Sequence, residues 1–286
     1  MSIKESSRRN FIQKSALAVA GAVSIPFISN SAVYKTGDAL KETNLLPVGI
    51  AGYTFAKFDV DQAIAMMKRL DIHNLSLKDI QLPLNSNDEK IKEVLTKFSD
   101  AGIKIYAAGV IYMKTKEAVD VAFDYAKKVG VDLIVGVPGY DLLDYTEQKI
   151  KSTNIRIAIH NHGPEDALYP GPADVYNRIK NRDMRMGLCL DIGHAIRAGA
   201  NLEKAVNDYK SRLFDLHIKD VTLASKDGKA IEIGRGVIDF DTLVKALKKA
   251  NYKGVCSIEF EKDMTDPMPG MAESIGFFRG TLACNK

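Results

Sequence analysis

From Leu46 onward the chain alternates short apolar runs with longer amphipathic runs. This alternation is typical of repeated βα units around a parallel sheet. We predict eight strands, over Val48–Gly52, Asn74–Leu77, Ile103–Gly109, Asp132–Val137, Ile155–Ile159, Met184–Leu190, Leu213–Ile218 and Gly254–Phe260. The predicted helices cover Asp59–Leu70, Asp88–Asp100, Lys116–Lys128, Leu142–Lys151, Ala173–Asn181, Leu202–Tyr209, Phe240–Ala250 and Pro269–Ala283. Strict alternation of the two sets favours an α/β protein with a single (β/α)8 TIM barrel.

The alternative architecture is an open doubly wound sheet, which would place a glycine-rich phosphate turn after the first strand. The segment after that strand, Gly52–Phe55, has no such pattern. In addition, the predicted fifth strand puts Ile157 and Ile159 on one face and Ala158 and His160 on the other. Large apolar side chains facing the helices and smaller or polar ones facing the axis are the pattern of a barrel strand.

The first residues of the chain have the pattern of a targeting segment. Ser7–Lys14 carries the twin-arginine pattern, and the stretch 15–28 is apolar, rich in small residues and free of charge. We therefore assign 1–32 to a twin-arginine signal and 33–286 to the barrel domain, and expect export to the periplasm. An N-terminal membrane anchor is the alternative. Because the apolar run is shorter than the ~20 residues that span a bilayer, we expect no stable membrane insertion after cleavage.

Charge and cysteine content narrow the function classes. The formal net charge is +4, but the first fourteen residues contribute +3 of it, which leaves +1 for the stretch 33–286. A nearly neutral body disfavours nucleic acid as a partner. The three cysteines have no C-x-x-C spacing and indicate neither a disulfide framework nor a cysteine metal site. The oligomeric state is left open, and a homo-oligomer is compatible with the sequence.

Ionisable residues recur at the carboxyl ends of the last four predicted strands. The inward residues nearest these ends are, in chain order, His160, Asp191, His217 and Glu259. Barrel curvature directs such side chains to a common centre. Two imidazoles and two carboxylates are costly to bury together unless a divalent cation binds them. We predict one metal ion here, and the mixed N and O ligands suit Mn, Co, Zn or Fe.

Four motifs carry a resemblance to a known family. They are Cys189–His194 (CLDIGH), Leu216–Asp220 (LHIKD), Gly234–Phe240 (GRGVIDF) and Ser257–Glu261 (SIEFE). Together they resemble the xylose isomerase-like TIM-barrel superfamily, in its sugar phosphate isomerase/epimerase branch. The resemblance implies a small-molecule sugar substrate and metal ligands at Asp191, His217 and Glu259. It also implies that His194 contacts substrate or a further metal and that Lys219 and Asp220 bind substrate.

One position departs from the family. In the epimerases the fifth strand usually ends in a glutamate that is both ligand and base, and here that position is His160. Two opposed carboxylates can exchange a proton through an enediolate, with the metal stabilising the oxyanion. An imidazole on the metal has no free lone pair for this role. Glu259 is then the remaining carboxylate base, and His162, His194 or Glu261 must supply the second group.

The first function hypothesis is accordingly a metal-dependent isomerase or epimerase of a ketose or keto-sugar derivative. The alternatives are a lyase that performs β-elimination on a keto sugar or 3-keto glycoside, and a non-catalytic, metal-containing sugar-binding barrel. Further candidates for substrate contact are Lys78 at the end of the second strand, Arg235 between two glycines, and Glu261.

Overall fold

The computed structural model describes residues 46–285, so the predicted signal segment lies outside the described residues. Within this range eight parallel strands close into a barrel, and two further short strands pair as an antiparallel hairpin. The barrel strands are β1 (Val48–Ala51), β2 (Asn74–Leu77), β3 (Lys104–Met113), β4 (Leu133–Pro138), β5 (Arg156–His160), β6 (Met186–Asp191), β7 (Leu213–Ile218) and β10 (Cys256–Ile258). The hairpin consists of β8 (Asp220–Val221) and β9 (Ala230–Ile231). Because β1 pairs with both β2 and β10, the predicted single (β/α)8 barrel is confirmed.

Helices connect the barrel strands. In the described part of the chain they are α1 (Val60–Arg69), α2 (Asp88–Asp100), α3 (Lys116–Val129), α4 (Leu143–Thr153), α5 (Pro172–Ile179), α6 (Ile192–Arg197), α7 (Leu202–Tyr209), α8 (Phe240–Lys249) and α9 (Met268–Cys284). Residues 46–285 contain no helix that combines the length and the apolar character needed to cross a membrane.

Local sequence signals explain where these helices begin and end. The Asp59 carboxylate accepts a hydrogen bond from the backbone N–H of Gln62 at 2.8 Å, and the Gln62 side chain accepts one from the Asp59 N–H at 3.0 Å. This capping box satisfies donors that have no partner inside the helix. At the other end of a helix, Gly130 takes a left-handed conformation with φ of 81° directly after α3.

The barrel interior contains a polar layer drawn from three strands that do not all neighbour one another. The Tyr106 hydroxyl on β3 donates to the Asp215 carboxylate on β7 at 3.0 Å and contacts the Ser257 hydroxyl on β10. Since β3 is adjacent to neither of the other two strands, these side chains meet only across the axis. The alternation predicted for the strands therefore holds, and the same inward faces continue to the carboxyl-terminal mouth.

Two elements were not predicted. The short helix α6 directly follows Asp191, and the β8–β9 hairpin lies between β7 and α8. Both are too short to produce a helical or strand period in the sequence. They matter because they follow β6 and β7, so they lie at the mouth that carries the candidate site.

Candidate metal centre and active site

Four ionisable side chains meet at the carboxyl-terminal mouth of the barrel. His160 is the last residue of β5, Asp191 is the last residue of β6, His217 lies one residue before the end of β7, and Glu259 directly follows β10. Register pairs Asp191 with His217 across β6 and β7. Parallel strands end at the same edge, so all four side chains point inward at similar depth.

The distances within this cluster are short. One ligand atom from each of His160, Asp191, His217 and Glu259 lies within 4.8 Å of the other three. Nε2 of His160 is 3.0 Å from Nδ1 of His217 and 3.5 Å from Oδ2 of Asp191. Nδ1 of His217 is 3.2 Å from Oε2 of Glu259. All four residues are at most 5% exposed, so water cannot solvate them freely.

The cluster fits a divalent metal ion. Oδ2 of Asp191 is buried and makes no hydrogen bond of good geometry, although it forms an ion pair with the Lys219 ammonium at 3.0 Å. Nε2 of His217 is buried without a hydrogen-bond partner, although a buried ring nitrogen ordinarily has one. Facing lone pairs and carboxylates that are shielded from bulk water are destabilising unless cations or hydrogen-bond donors bind them. Two nitrogen and two oxygen donors form a set that transition metals and zinc accept.

Lys219 brings a positive charge into contact with the carboxylates. Its Nζ atom is 2.7 Å from Oε2 of Glu259, 3.0 Å from Oδ2 of Asp191 and 2.9 Å from Oε2 of Glu261. The lysine is only 4% exposed. Three carboxylates against one ammonium leave an excess of two negative charges when the imidazoles are neutral. A divalent ion would balance that excess.

The pKa values at the site follow from burial and these neighbours. Burial raises the pKa of Asp191, but His194, Lys219 and His160 lower it by more, so it stays well below its usual range. Burial also raises the pKa of Glu259, which Lys219 and His217 bring down below its usual value. Burial lowers the pKa of His160 to about 3. Burial lowers the pKa of His217, but Cys189 and Glu259 raise it by more, so it stays well above its usual range. Ionised carboxylates and neutral imidazoles are the forms that bind metals, so His217 would give up its proton on binding.

Two further histidines stand beside the cluster. The ring centroid of His162 lies 4.3 Å from that of His160 and 5.8 Å from that of His194. Nε2 of His162 is 2.9 Å from the Tyr112 hydroxyl, and Nε2 of His194 is 4.0 Å from Oδ2 of Asp191. Burial lowers the pKa of both rings, that of His194 to about 4. The structure thus brings both predicted acid–base histidines next to the predicted ligands.

Three predicted substrate contacts have partners within the protein. The Asp220 carboxylate is buried and accepts hydrogen bonds from four backbone N–H groups, those of Val221, Gly234, Gly236 and Ile238. Its oxygens are already used, so Asp220 organises the loop instead of binding substrate. Arg235 donates hydrogen bonds to both carboxylate oxygens of Glu273 on α9. Lys78 forms an ion pair with its neighbour Asp79.

Some residues near the site were not among the predicted ones. The Cys189 thiol lies close enough to His160 and His217 to form an alternative ligand group. Burial raises the pKa of Cys189 to about 12, and the thiol donates a weak hydrogen bond to the Asp215 carboxylate, with Sγ 4.0 Å from Oδ2. Cys189 lies two residues before Asp191 and therefore on the same inward face of β6, so strand alternation was enough to place it near the site. Arg197, which contacts His194, follows no strand end and gave no such signal.

Comparisons with known proteins agree with this fold. The family model for the xylose isomerase-like TIM barrel matches residues 77–281. A curated inosose dehydratase from Clostridium beijerinckii is 29% identical over 91 residues, which cover 27% of this chain and 30% of that protein. The chain thus matches less than a third of that relative.

Two solved structures share the fold at low identity. The 3-keto-D-glucoside 4-epimerase YcjR from E. coli has a TM-score of 0.68 and 17% identity, with 82% of this chain and 99% of that chain covered. An IolI protein with a zinc atom has a TM-score of 0.72 and 16% identity, with 84% and 99% covered. At these identities the likeness shows the fold alone. The family match over most of the barrel establishes more: the chain belongs to the xylose isomerase-like TIM barrel family.

Proposed function

We propose that this protein is a metal-dependent lyase that removes a β-substituent from a keto sugar or 3-keto glycoside. The observation that carries the proposal is an asymmetry among the acid–base groups around the cluster. Two carboxylates, Glu259 and Glu261, follow β10, whereas the groups beyond β5 and β6 that adjoin the cluster are the imidazoles of His162 and His194. The next carboxylate beyond β5, that of Asp166, has Oδ2 3.7 Å from Nδ1 of His162. His160 occupies the position from which a second carboxylate would act.

The ligand roles follow from the cluster. His160, Asp191, His217 and Glu259 would hold the ion, and when bound the ion supplies Lewis-acid polarisation of a substrate carbonyl. Glu261 lies outside this set, and its side chain is 27% exposed, against 5% for Glu259. It can therefore take up a proton without giving up a ligand. For this reason we assign proton removal to Glu261 in place of Glu259.

The proposed reaction balances without an oxidant or reductant. Glu261 accepts the proton from the carbon next to the ketone, and the C–H electron pair becomes part of an enolate. As the ketone re-forms, the bond between the β-carbon and its oxygen substituent breaks, and that oxygen leaves with the electron pair. An imidazole N–H, from His162 or His194, donates a hydrogen bond to the leaving oxygen, which takes up a proton from solvent while Glu261 returns the proton it accepted to solvent. The products are an unsaturated ketone and either water or an alcohol.

The curated relative supports the lyase assignment, since a dehydratase eliminates water. Its match covers only part of that relative, so the substrate is a proposal for this chain. Isomerisation or epimerisation is the second candidate. It is favoured by the position of Glu261 and His162 beyond different strands of the mouth, because proton removal by one and return by the other would invert a carbon centre.

One incubation distinguishes these outcomes. The full chain, loaded with Mn²⁺, Co²⁺ or Zn²⁺, is mixed with 3-keto glycosides and with ketoses in deuterated water. We expect release of the aglycone and an unsaturated ketone by mass spectrometry. Deuterium in an isomeric product, without aglycone release, would replace the lyase with an epimerase. Binding without turnover would favour the sugar-binding barrel. Glu261→Gln is the control that should bind metal and release no aglycone.

A further inference from the structure

Arg197, the last residue of α6, joins three segments at the mouth of the barrel. Its Nη1 atom is 3.2 Å from Nδ1 of His194, one turn earlier on the same helix. Its Nη2 atom donates to the Glu165 carboxylate, in the loop after β5, at 2.5 Å and to the backbone carbonyl of Lys226, between β8 and β9, at 2.9 Å. The arginine side chain is only 14% exposed. One largely buried guanidinium therefore fixes the position of the His194 ring.

The chemistry of this contact determines where His194 carries its hydrogen. A guanidinium offers only N–H donors and stays protonated at any physiological pH. Nδ1 of His194 must then be the acceptor, which requires a lone pair on that nitrogen. A neutral imidazole has one N–H, so its hydrogen is on Nε2.

The surroundings leave little room for another arrangement. Gly163, with φ of 90°, packs so closely that a Cβ atom there would lie 3.1 Å from Nδ1 of His194 and 3.3 Å from Nη1 of Arg197. The Asp191 carboxylate accepts a hydrogen bond from the backbone N–H of His194 at 2.8 Å. Its other oxygen is 4.0 Å from Nε2 of the same ring. The Nε2–H edge is thus the one turned toward the ligand cluster.

We propose that Arg197 is a positioning residue that holds His194 as the Nε2–H tautomer, so that His194 presents a hydrogen-bond donor to the mouth. A ring in this form has no lone pair at Nε2 and does not bind a second metal ion there. The tautomer of His194 does not depend on which reaction the protein catalyses. The role of its Nε2–H as a donor to a substrate oxygen rests on the proposed function.

Nitrogen NMR of the imidazoles tests the tautomer directly. The full chain is labelled with ¹⁵N-histidine, and the His194 resonances are identified by their loss in His194→Gln. We expect a protonated Nε2 and an unprotonated Nδ1 in the wild-type protein. If Nδ1 of His194, or both of its ring nitrogens, carried a hydrogen at pH 7.5 in the wild-type protein, the proposal would be overturned.

A set of variants tests the role of Arg197. Arg197→Met keeps the aliphatic length and removes every donor, so the two His194 nitrogen resonances should move toward each other as the tautomers interconvert. Arg197→Lys keeps one donor and a charge and should preserve the wild-type pattern. Glu165→Gln keeps the Arg197 to His194 hydrogen bond and is the matched control. Unchanged resonances in a folded Arg197→Met protein would contradict the proposal.

Titration with Zn²⁺ tests the excluded second metal site. One equivalent should shift the nitrogen resonances of His160 and His217, while Nε2 of His194 keeps its hydrogen. Loss of that hydrogen with a second equivalent would show that His194 binds metal. Kinetic measurements test separately whether His194 donates a hydrogen bond to the substrate. Arg197→Met should lower kcat by at least about tenfold, with a smaller effect on KM. If the tautomer is as expected and turnover is absent in every form, the proposed function fails and the positioning role stands.

Discussion

The Nε2 atom of His160 lies 3.0 Å from Nδ1 of His217, in a place where both residues are at most 2% exposed. When both rings are neutral, only one of the facing nitrogens can carry a hydrogen. A cation between the rings would instead use both lone pairs. The facing rings are therefore the part of the site that a bound cation would affect most directly.

Metal removal should destabilise the protein. The purified chain should contain about one equivalent of a divalent ion, and EDTA should lower its thermal midpoint, since bound metal stabilises the folded state by about 2.7 kcal/mol at one hundred times its dissociation constant. Added Mn²⁺, Co²⁺ or Zn²⁺ should restore the midpoint. Differential scanning calorimetry with metal analysis measures both quantities.

A histidine far from the mouth provides the control for metal binding. His160→Gln and His217→Gln should each lose most of the bound metal. His73 has a half-exposed side chain that pairs with Asp71, before β2, and His73→Gln should bind metal like the wild type. Full metal content in both mouth variants would refute the ligand set.

Substitution of the two glutamates after β10 should affect metal binding and turnover differently. Glu259→Gln should lose metal and turnover together, because Glu259 is a proposed ligand. Glu261→Gln should keep one equivalent of metal and lose turnover by about a hundredfold or more, as expected for loss of a general base. Metal analysis and product release on the same samples separate the two roles. Wild-type turnover in Glu261→Gln would return the base assignment to Glu259.

Restoring a carboxylate at the end of β5 should change the reaction. His160→Glu places a second carboxylate opposite those after β10, the arrangement that favours proton exchange over one-sided removal. We expect more deuterium in recovered or epimerised substrate and less aglycone release, measured by mass spectrometry and NMR. His160→Gln, which adds no base, should not show the gain. An unchanged product ratio in a metal-loaded His160→Glu protein would argue against the role given to this position.

The polar layer beneath the site should contribute to stability. Burial raises the pKa of Asp215 to about 7, and the Tyr106 hydroxyl is its hydrogen-bond donor. Tyr106→Phe leaves this buried group short of a partner and should lower the free energy of unfolding by roughly 1–3 kcal/mol. Tyr125→Phe removes a buried hydroxyl that donates to the Leu82 carbonyl at 2.8 Å, and should cost about 1 kcal/mol. Urea titrations compare the two, and a smaller loss for Tyr106→Phe would contradict this account.

We also propose that the chain is exported by the twin-arginine route. The proposal rests on Arg8 and Arg9 followed by the uncharged stretch 15–28. Replacing both arginines with lysine should retain the full-length protein in the cytoplasm, because the pathway reads the arginine pair and lysine keeps only its charge. Cell fractionation of the two forms, with a cytoplasmic marker, measures this. Equal export of both would exclude the route.

Strand alternation was sufficient to predict the barrel and the meeting of His160, Asp191, His217 and Glu259. That prediction worked because a period of two residues fixes which side chains face the axis. It failed where the chain leaves the strands. Asp220 follows directly after β7 and Lys219, yet its carboxylate turns into a loop whose shape no residue period encodes. Arg197 was missed for the same reason.

The position of Lys219 bears on whether the protein folds before it binds metal. Its ammonium group already contacts Asp191, Glu259 and Glu261, so part of the negative charge at the mouth is compensated by the chain itself. We therefore expect the barrel to fold around these carboxylates before an ion binds. Metal could then bind after folding. The identity of the bound ion would depend on which metals are present in the compartment where the folded protein resides.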